Sequence, residues 1–271
     1  MVAELAETRT ADGTRIVYRL LGRPQSERRI ALVHSLAMDH TFWLPVAERL
    51  AADASVLVYD CRGHGQSGKP PGPYTTPLFA ADLANLMDTI GWPSATVAGA
   101  SMGGCVSLAF GAHFAKCTQA LGLIDTTAWY GPDAPKAWEQ RAQKAKAEGL
   151  KGLIDFQVTR WFGDVFREQH KDVVQHCIDV FLANDLSAYA ETCRMLGTND
   201  LRAALPGISC PTTVIVGDED YAAPPAMAEA LHAGIRNSRY VLIEKARHLT
   251  PLEVPDRITE ELEQLIASAA A

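Results

Sequence analysis

The chain has 271 residues, 48% of them hydrophobic, with 32 acidic and 25 basic side chains for a formal net charge of −7. That supplies one sizeable core, and with no run of Lys or Arg there is no basic face for a nucleic-acid partner. The opening MVAELAETRTADGTR lacks a basic start followed by an apolar stretch, and no segment approaches the ~18 apolar residues of a membrane span, so a cytoplasmic protein with no membrane partner is expected.

In chain order, short runs rich in β-branched and apolar residues predict strands over 15–20, 30–33, 55–59, 95–98, 120–124, 212–216 and 240–243. Helix-like segments separate them. Phe79, Leu83, Leu86, Met87 and Ile90 recur at helical spacing, as do Ile258, Leu262, Leu265 and Ile266, and each stripe is wide enough to cover a sheet. Strands alternating with helices predict an α/β fold with a mostly parallel central sheet and helices on both faces. From 126 to 205 the β signal vanishes and aromatics appear among charged helical segments. The expected organisation is therefore a core of residues 1–125 and 206–271 with a helical cap, 126–205, inserted between strands.

Six cysteines are scattered without CxxC pairs or Cys/His ligand spacing, which predicts reduced thiols and no structural metal. There is no G-x-G-x-x-G after the first strand, so cofactor-free chemistry is expected.

Gly99-Ala100-Ser101-Met102-Gly103 lies where a predicted strand runs into an apolar helix. G-x-S-x-G in that context is a nucleophile elbow: a sharp turn holds the serine in a strained conformation, and the glycines remove side chains that would collide across it. The Met102 N–H then sits at a helix start, where unpaired donors and the dipole favour negative charge.

A serine hydroxyl needs a base, and the base needs a carboxylate to orient it. Of eight histidines, His248 lies just after the final strand and before the last helix, on the loop that overhangs the edge carrying Ser101. His34, ending a different strand, is read as structural. For the acid, Asp218, Glu219 and Asp220 end the penultimate strand. Asp220 is the choice and the other two are read as a solvated turn, while Asp125, ending the strand after the nucleophile helix, is the rival acid.

With Ser101, Asp220 and His248 in that order, the sequence resembles the α/β-hydrolase superfamily over nearly its whole length. The resemblance implies that the backbone N–H of Leu36, in Val33-His34-Ser35-Leu36, joins that of Met102 as an oxyanion hole, with Ser35 in place of the usual glycine. It also implies that Asp60 to Gly68, resembling D-x-R-G-x-G-x-S and including His64, shapes the site without catalysing. Within the superfamily the chain resembles 3-oxoadipate enol-lactonases through ASMGG, the Trp138 to Arg141 spacing, Arg160-Trp161-Phe162 and Asn199-Asp200-Leu201-Arg202. It departs from them at Ala100 and at Asp125-Thr126-Thr127.

The resemblance implies a serine hydrolase cleaving a small lactone or carboxylic ester, with Arg141 and Arg160 to pair with a substrate carboxylate and Trp138 as an apolar wall. Arg141, Lys144 and Glu148 also suit a solvated helix face. A general carboxylesterase of neutral esters, a C–C bond hydrolase and a non-catalytic ligand receptor remain alternatives, and the oligomeric state is not legible in the sequence.

Overall fold

A computed structural model describes residues 4–269. The expected core limits at residues 1 and 271 lie outside the described residues. Eight strands form one sheet: β1 (Ala6–Arg9), β2 (Arg15–Gly22), β3 (Arg29–Val33), β4 (Ser55–Tyr59), β5 (Ala95–Ala100), β6 (Thr118–Ile124), β7 (Thr212–Gly217) and β8 (Ser238–Ile243). Their order is β1-β2-β4-β3-β5-β6-β7-β8. The pairs β1–β2 and β2–β4 are antiparallel, and from β4 to β8 every pair is parallel.

All seven predicted strands are present, each within two residues of its expected ends or longer. β1 escaped prediction because AETR is short and mostly exposed, with no apolar alternation to announce an edge strand. The central strands β4 and β5 are buried at every position, as a sheet covered on both faces requires.

The helices are α1 (Leu44–Leu50), α2 (Thr76–Thr89), α3 (Met102–His113), α4 (Ala134–Glu148), α5 (Ile154–Trp161), α6 (Asp164–Gln169), α7 (Lys171–Leu182), α8 (Leu186–Thr198), α9 (Pro225–Gly234), α10 (Thr250–Glu253) and α11 (Pro255–Ala269). Adjacent residues of β6 identify which helices cover which face. Leu121 packs under Gly111 of α3, whereas Gly122 lies beneath Leu262 of α11. Neighbouring strand residues point to opposite sides, so α3 and α11 cover opposite faces. The apolar stripe of α11 is fully committed, with Ile258, Leu262, Leu265 and Ile266 all buried.

Between β6 and β7 the chain runs through α4 to α8 with no strand, apart from an isolated bridge between Trp129 and Asp200. α4 and α8 are joined by Arg194, which pairs with Glu139 at 2.7 Å, and by Arg141, whose Nε donates to Tyr189 Oη at 2.7 Å. No helix among the described residues is long and apolar enough to cross a membrane. The six cysteines are free thiols.

Candidate active site

Ser101 sits between β5 and α3 with φ 55° and ψ −116°, a conformation that costs an L-residue on the order of 1–3 kcal/mol and persists only where the surroundings enforce it. Here the neighbours do so. The Ser101 N–H donates to Ile124 O at 2.9 Å, and its carbonyl accepts from Gly104 N at 2.9 Å and from Thr126 Oγ1 at 2.7 Å. The flanking glycines are required by space: a Cβ on Gly99 would lie 2.1 Å from Gly103 O, and one on Gly103 would lie 2.1 Å from Val33 O.

The three predicted residues come together. His248 Nε2 lies 2.8 Å from Ser101 Oγ, and its Nδ1 lies 2.8 Å from Asp220 Oδ2. An ionised carboxylate can only accept, so Nδ1–H donates to Asp220 and the Nε2 lone pair faces the serine hydroxyl. Asp220 is 1% exposed and its other oxygen accepts from Ala222 N at 2.7 Å and Ala223 N at 2.9 Å, which satisfies the buried carboxylate. Asp218 is exposed and accepts from Lys245 N, while Glu219 meets Arg247.

Asp125 makes no hydrogen bond to His248 among the described residues. Its carboxyl instead accepts from Gly217 N at 3.2 Å, Thr250 N at 3.1 Å and Thr250 Oγ1 at 2.7 Å. Burial, with Asp220 nearby, pushes its pKa well above the usual carboxylate range.

The loop of His248 is fastened on its outer side to the end of α5. Leu249 N donates to Trp161 O at 3.1 Å, and Arg247 Nη1 donates to Thr159 O at 2.8 Å and Phe162 O at 3.1 Å. Glu253 bridges the same two segments, accepting from Gly163 N and Arg247 N at 2.7 Å each.

Leu36 follows β3 in a loop that turns at Ala37, φ 59°, and Asn184 Nδ2 donates to Ala37 O at 2.9 Å. Neither the Leu36 nor the Met102 amide has an intraprotein acceptor among the described residues, so two backbone donors flank the nucleophile turn. His34 braces this loop, with Nδ1–H donating to Ser35 O at 2.8 Å and Nε2 accepting from Cys61 N at 2.9 Å. Burial depresses the basicity of His34, and burial with His34 nearby brings the pKa of His64 down to about 3. Both are neutral scaffolding.

A cavity of about 70 Å³ opens on Ser101 and His248, lined also by Ser35, Leu36, Trp138, Arg141 and Arg160. A larger space of about 530 Å³ adjoins it, sharing Tyr130, Trp138, Arg141, Arg160 and Ala222. Arg141 therefore lies on the inner side of α4, its guanidinium 4.9 Å from the Trp138 ring. The Lys144–Glu148 pair belongs to the solvated face. Arg160 donates to Tyr221 O and lies 4.9 Å over the Phe156 ring. Neither arginine is ion-paired with a carboxylate among the described residues, and burial together with Arg141 lowers the pKa of Arg160. The cavity thus has a cationic wall with unspent hydrogen-bonding capacity.

Gln157, Tyr130 and Ala222 also line the cavity without having been singled out from the sequence. Gln157 could have been, since it stands one helical turn before Arg160 on the same face.

Asp39, His40 and Asp60 form a group whose ligand atoms lie within 4.8 Å of one another. Those atoms are already engaged: Asp60 accepts from the backbone and ring of His40 and from Gln66 N, and Asp39 accepts from Thr41. The cluster fastens the Asp60 to Gly68 loop, as does the buried Arg62–Asp82 pair at 2.5 Å.

Comparison with known proteins identifies the family. The "Alpha/beta hydrolase family" model matches residues 30–261. The chain is 29% identical over 267 residues to 3-oxoadipate enol-lactonase 2 of Acinetobacter baylyi, covering 98% of each. It is 35% identical to the solved enol-lactonase of Burkholderia xenovorans LB400, covering 97% of this chain and 100% of that one with a TM-score of 0.92. It is 28% identical to a thermophilic esterase of Thermogutta terrifontis solved with malate bound, covering 99% and 100% with a TM-score of 0.92. A serine at a strained strand-to-helix turn, a mostly parallel sheet in this order and a family match across most of the sequence lead to one conclusion: the chain belongs to the alpha/beta hydrolase family.

Proposed function

We propose that the protein is a cofactor-independent serine hydrolase that opens a small lactone or ester bearing a carboxylate, with 3-oxoadipate enol-lactone as the leading substrate. The observation that carries this is the continuous hydrogen-bonded line from Ser101 through His248 to Asp220, both links at 2.8 Å, ending in a cavity walled by two arginines.

In this reading Ser101 Oγ attacks the substrate carbonyl as His248 Nε2 takes its proton, and Asp220 holds the ring and stabilises its charge. The oxyanion meets the N–H groups of Leu36 and Met102, a stabilisation typically on the order of 10²–10³ in rate per donor. His248 returns the proton to the departing oxygen, which leaves an acyl-enzyme. In a lactone that oxygen stays tethered to the acyl group. Water, deprotonated by His248, then releases the acid and restores the serine.

Arg141 and Arg160 pair with the substrate carboxylate and Trp138 lies against its carbon chain. The likeness to an esterase with malate bound fits this preference, since malate is a dicarboxylate. The helical segment 126–205 acts as a cap over the core, of which the structure describes residues 4–125 and 206–269. The test is kcat/KM on 3-oxoadipate enol-lactone, neutral p-nitrophenyl esters and a vinylogous diketone, with the Ser101→Ala protein as blank. Turnover of the lactone well above the neutral esters is expected. A preference for neutral esters would favour a general carboxylesterase, and the absence of turnover and of fluorophosphonate labelling would favour a ligand receptor.

A further inference from the structure

The segment Ile124-Asp125-Thr126 touches all three loops that carry the proposed triad. Ile124 O accepts the Ser101 N–H and Thr126 Oγ1 donates to the Ser101 carbonyl. Between them Asp125 turns at φ 48°, and its fully buried carboxyl reaches two other loops. Oδ1 accepts from Gly217, three residues before Asp220, and Oδ2 accepts from the N–H and hydroxyl of Thr250, two residues after His248. These contacts span 92 and 125 residues of chain.

Resting on the proposed triad, we infer that Asp125 is a positioning residue that sets the distance between acid and base. It touches neither substrate nor His248. It fixes the start of the Gly217–Asp220 turn and the exit of the His248 loop to one rigid carboxyl group, on the strand end that also anchors the nucleophile. A second tie closes the same frame, since Glu219 N donates to Ala246 O at 3.1 Å. Without the Asp125 carboxyl, the N–H groups of Gly217 and Thr250 lose their buried acceptors, and the histidine loop loses its inner attachment.

Substitutions separate this role from general stability. Asn has the shape of Asp and one carbonyl oxygen. With that oxygen toward Thr250 it keeps both of those contacts, while its NH2, itself a donor, faces the Gly217 N–H and loses the longest one. Asp125→Ala loses all three.

The experiment measures the second-order rate of Ser101 labelling by a neutral fluorophosphonate, together with kcat and KM on the best ester substrate, on full-length protein well below each variant's melting temperature. Asp125→Ala is expected to lower labelling and kcat by about 10–100-fold with little change in KM, and Asp125→Asn to restore both to within about 5-fold of wild type. Thr250→Val, which removes only the hydroxyl, is expected to cost about 5-fold, and Thr250→Ser to recover it. This second pair decides the matter where Asp125→Ala does not fold.

Wild-type labelling rates in Asp125→Ala or Thr250→Val overturn the inference. So does equal damage in Asp125→Ala and Asp125→Asn, since Asn retains the Thr250 contacts on which the positioning depends. If wild-type protein is not labelled at Ser101, the proposed hydrolase function itself falls.

Discussion

His248 Nε2 lies 2.8 Å from Ser101 Oγ, although the two residues are 147 apart in the chain. Each is carried by a loop at the carboxyl end of a parallel strand, and parallel strands align those ends along one edge. Under the proposed mechanism, nucleophile and base act as a unit. Ser101→Ala and His248→Ala should each lower kcat by roughly 10⁶, with the double variant scarcely worse. Steady-state kinetics on the best ester substrate checks this, and additive losses would contradict it.

The two cavity arginines should separate binding from chemistry. Arg141→Gln is expected to raise KM for a carboxylate-bearing substrate by about 10–100-fold, the range for a hydrogen bond to a charged group, with kcat on a neutral ester within a few-fold of wild type. Equal effects on both substrates would show that Arg141 serves packing through Trp138 and Tyr189 instead.

The buried histidines make stability pH-dependent. His64 has its pKa pushed down to about 3 in the folded protein, so below ~6.5 the unfolded chain takes up a proton that the folded chain refuses. Stability is full above that value and falls as pH drops toward the folded pKa, by up to about 1.4 kcal/mol per pH unit for each such group. His34 acts in the same direction. Urea unfolding between pH 7 and 5 should show wild type losing more stability on acidification than His64→Asn, a comparison in which the opposing contribution of the raised Asp125 carboxyl is common to both proteins.

Gly103→Ala tests the elbow. Its Cβ would lie 2.1 Å from Val33 O, in backbone that cannot yield cheaply. A loss of at least ~3 kcal/mol in unfolding free energy is expected, together with loss of fluorophosphonate labelling in whatever fraction folds. A fully labelled Gly103→Ala protein would mean that the turn tolerates a side chain.

What the sequence revealed followed from local rules. β5 and the elbow after it were legible because β-branched residues, small residues and an apolar helix occur consecutively, and His248 was singled out by its place after β8. Asp220 could be preferred over its two acidic neighbours because its place beyond the glycine turn lets its side chain point back across the sheet edge. Asp125 was legible as a carboxyl at a strand end, yet its partners Gly217 and Thr250 are fixed only by tertiary contact. The side of α4 that Arg141 occupies was equally hidden, since helical spacing groups Arg141 with Lys144 and Glu148 without saying which residue the neighbouring helix covers. β1 was lost because its order comes from pairing with β2 and not from its own residues.

The fastening of α5 to the His248 loop bears on redesign. Gln157, Arg160 and Trp161 reach the cavity from a helix whose end is bonded to Arg247, Leu249 and Glu253, so repacking that wall for a new substrate also strains the loop of His248. Trp138 and Arg141 hang from α4, which is braced by α8 and shares no hydrogen bond with that loop among the described residues. Evolution or engineering can alter selectivity from the α4 side while leaving the reactive centre undisturbed.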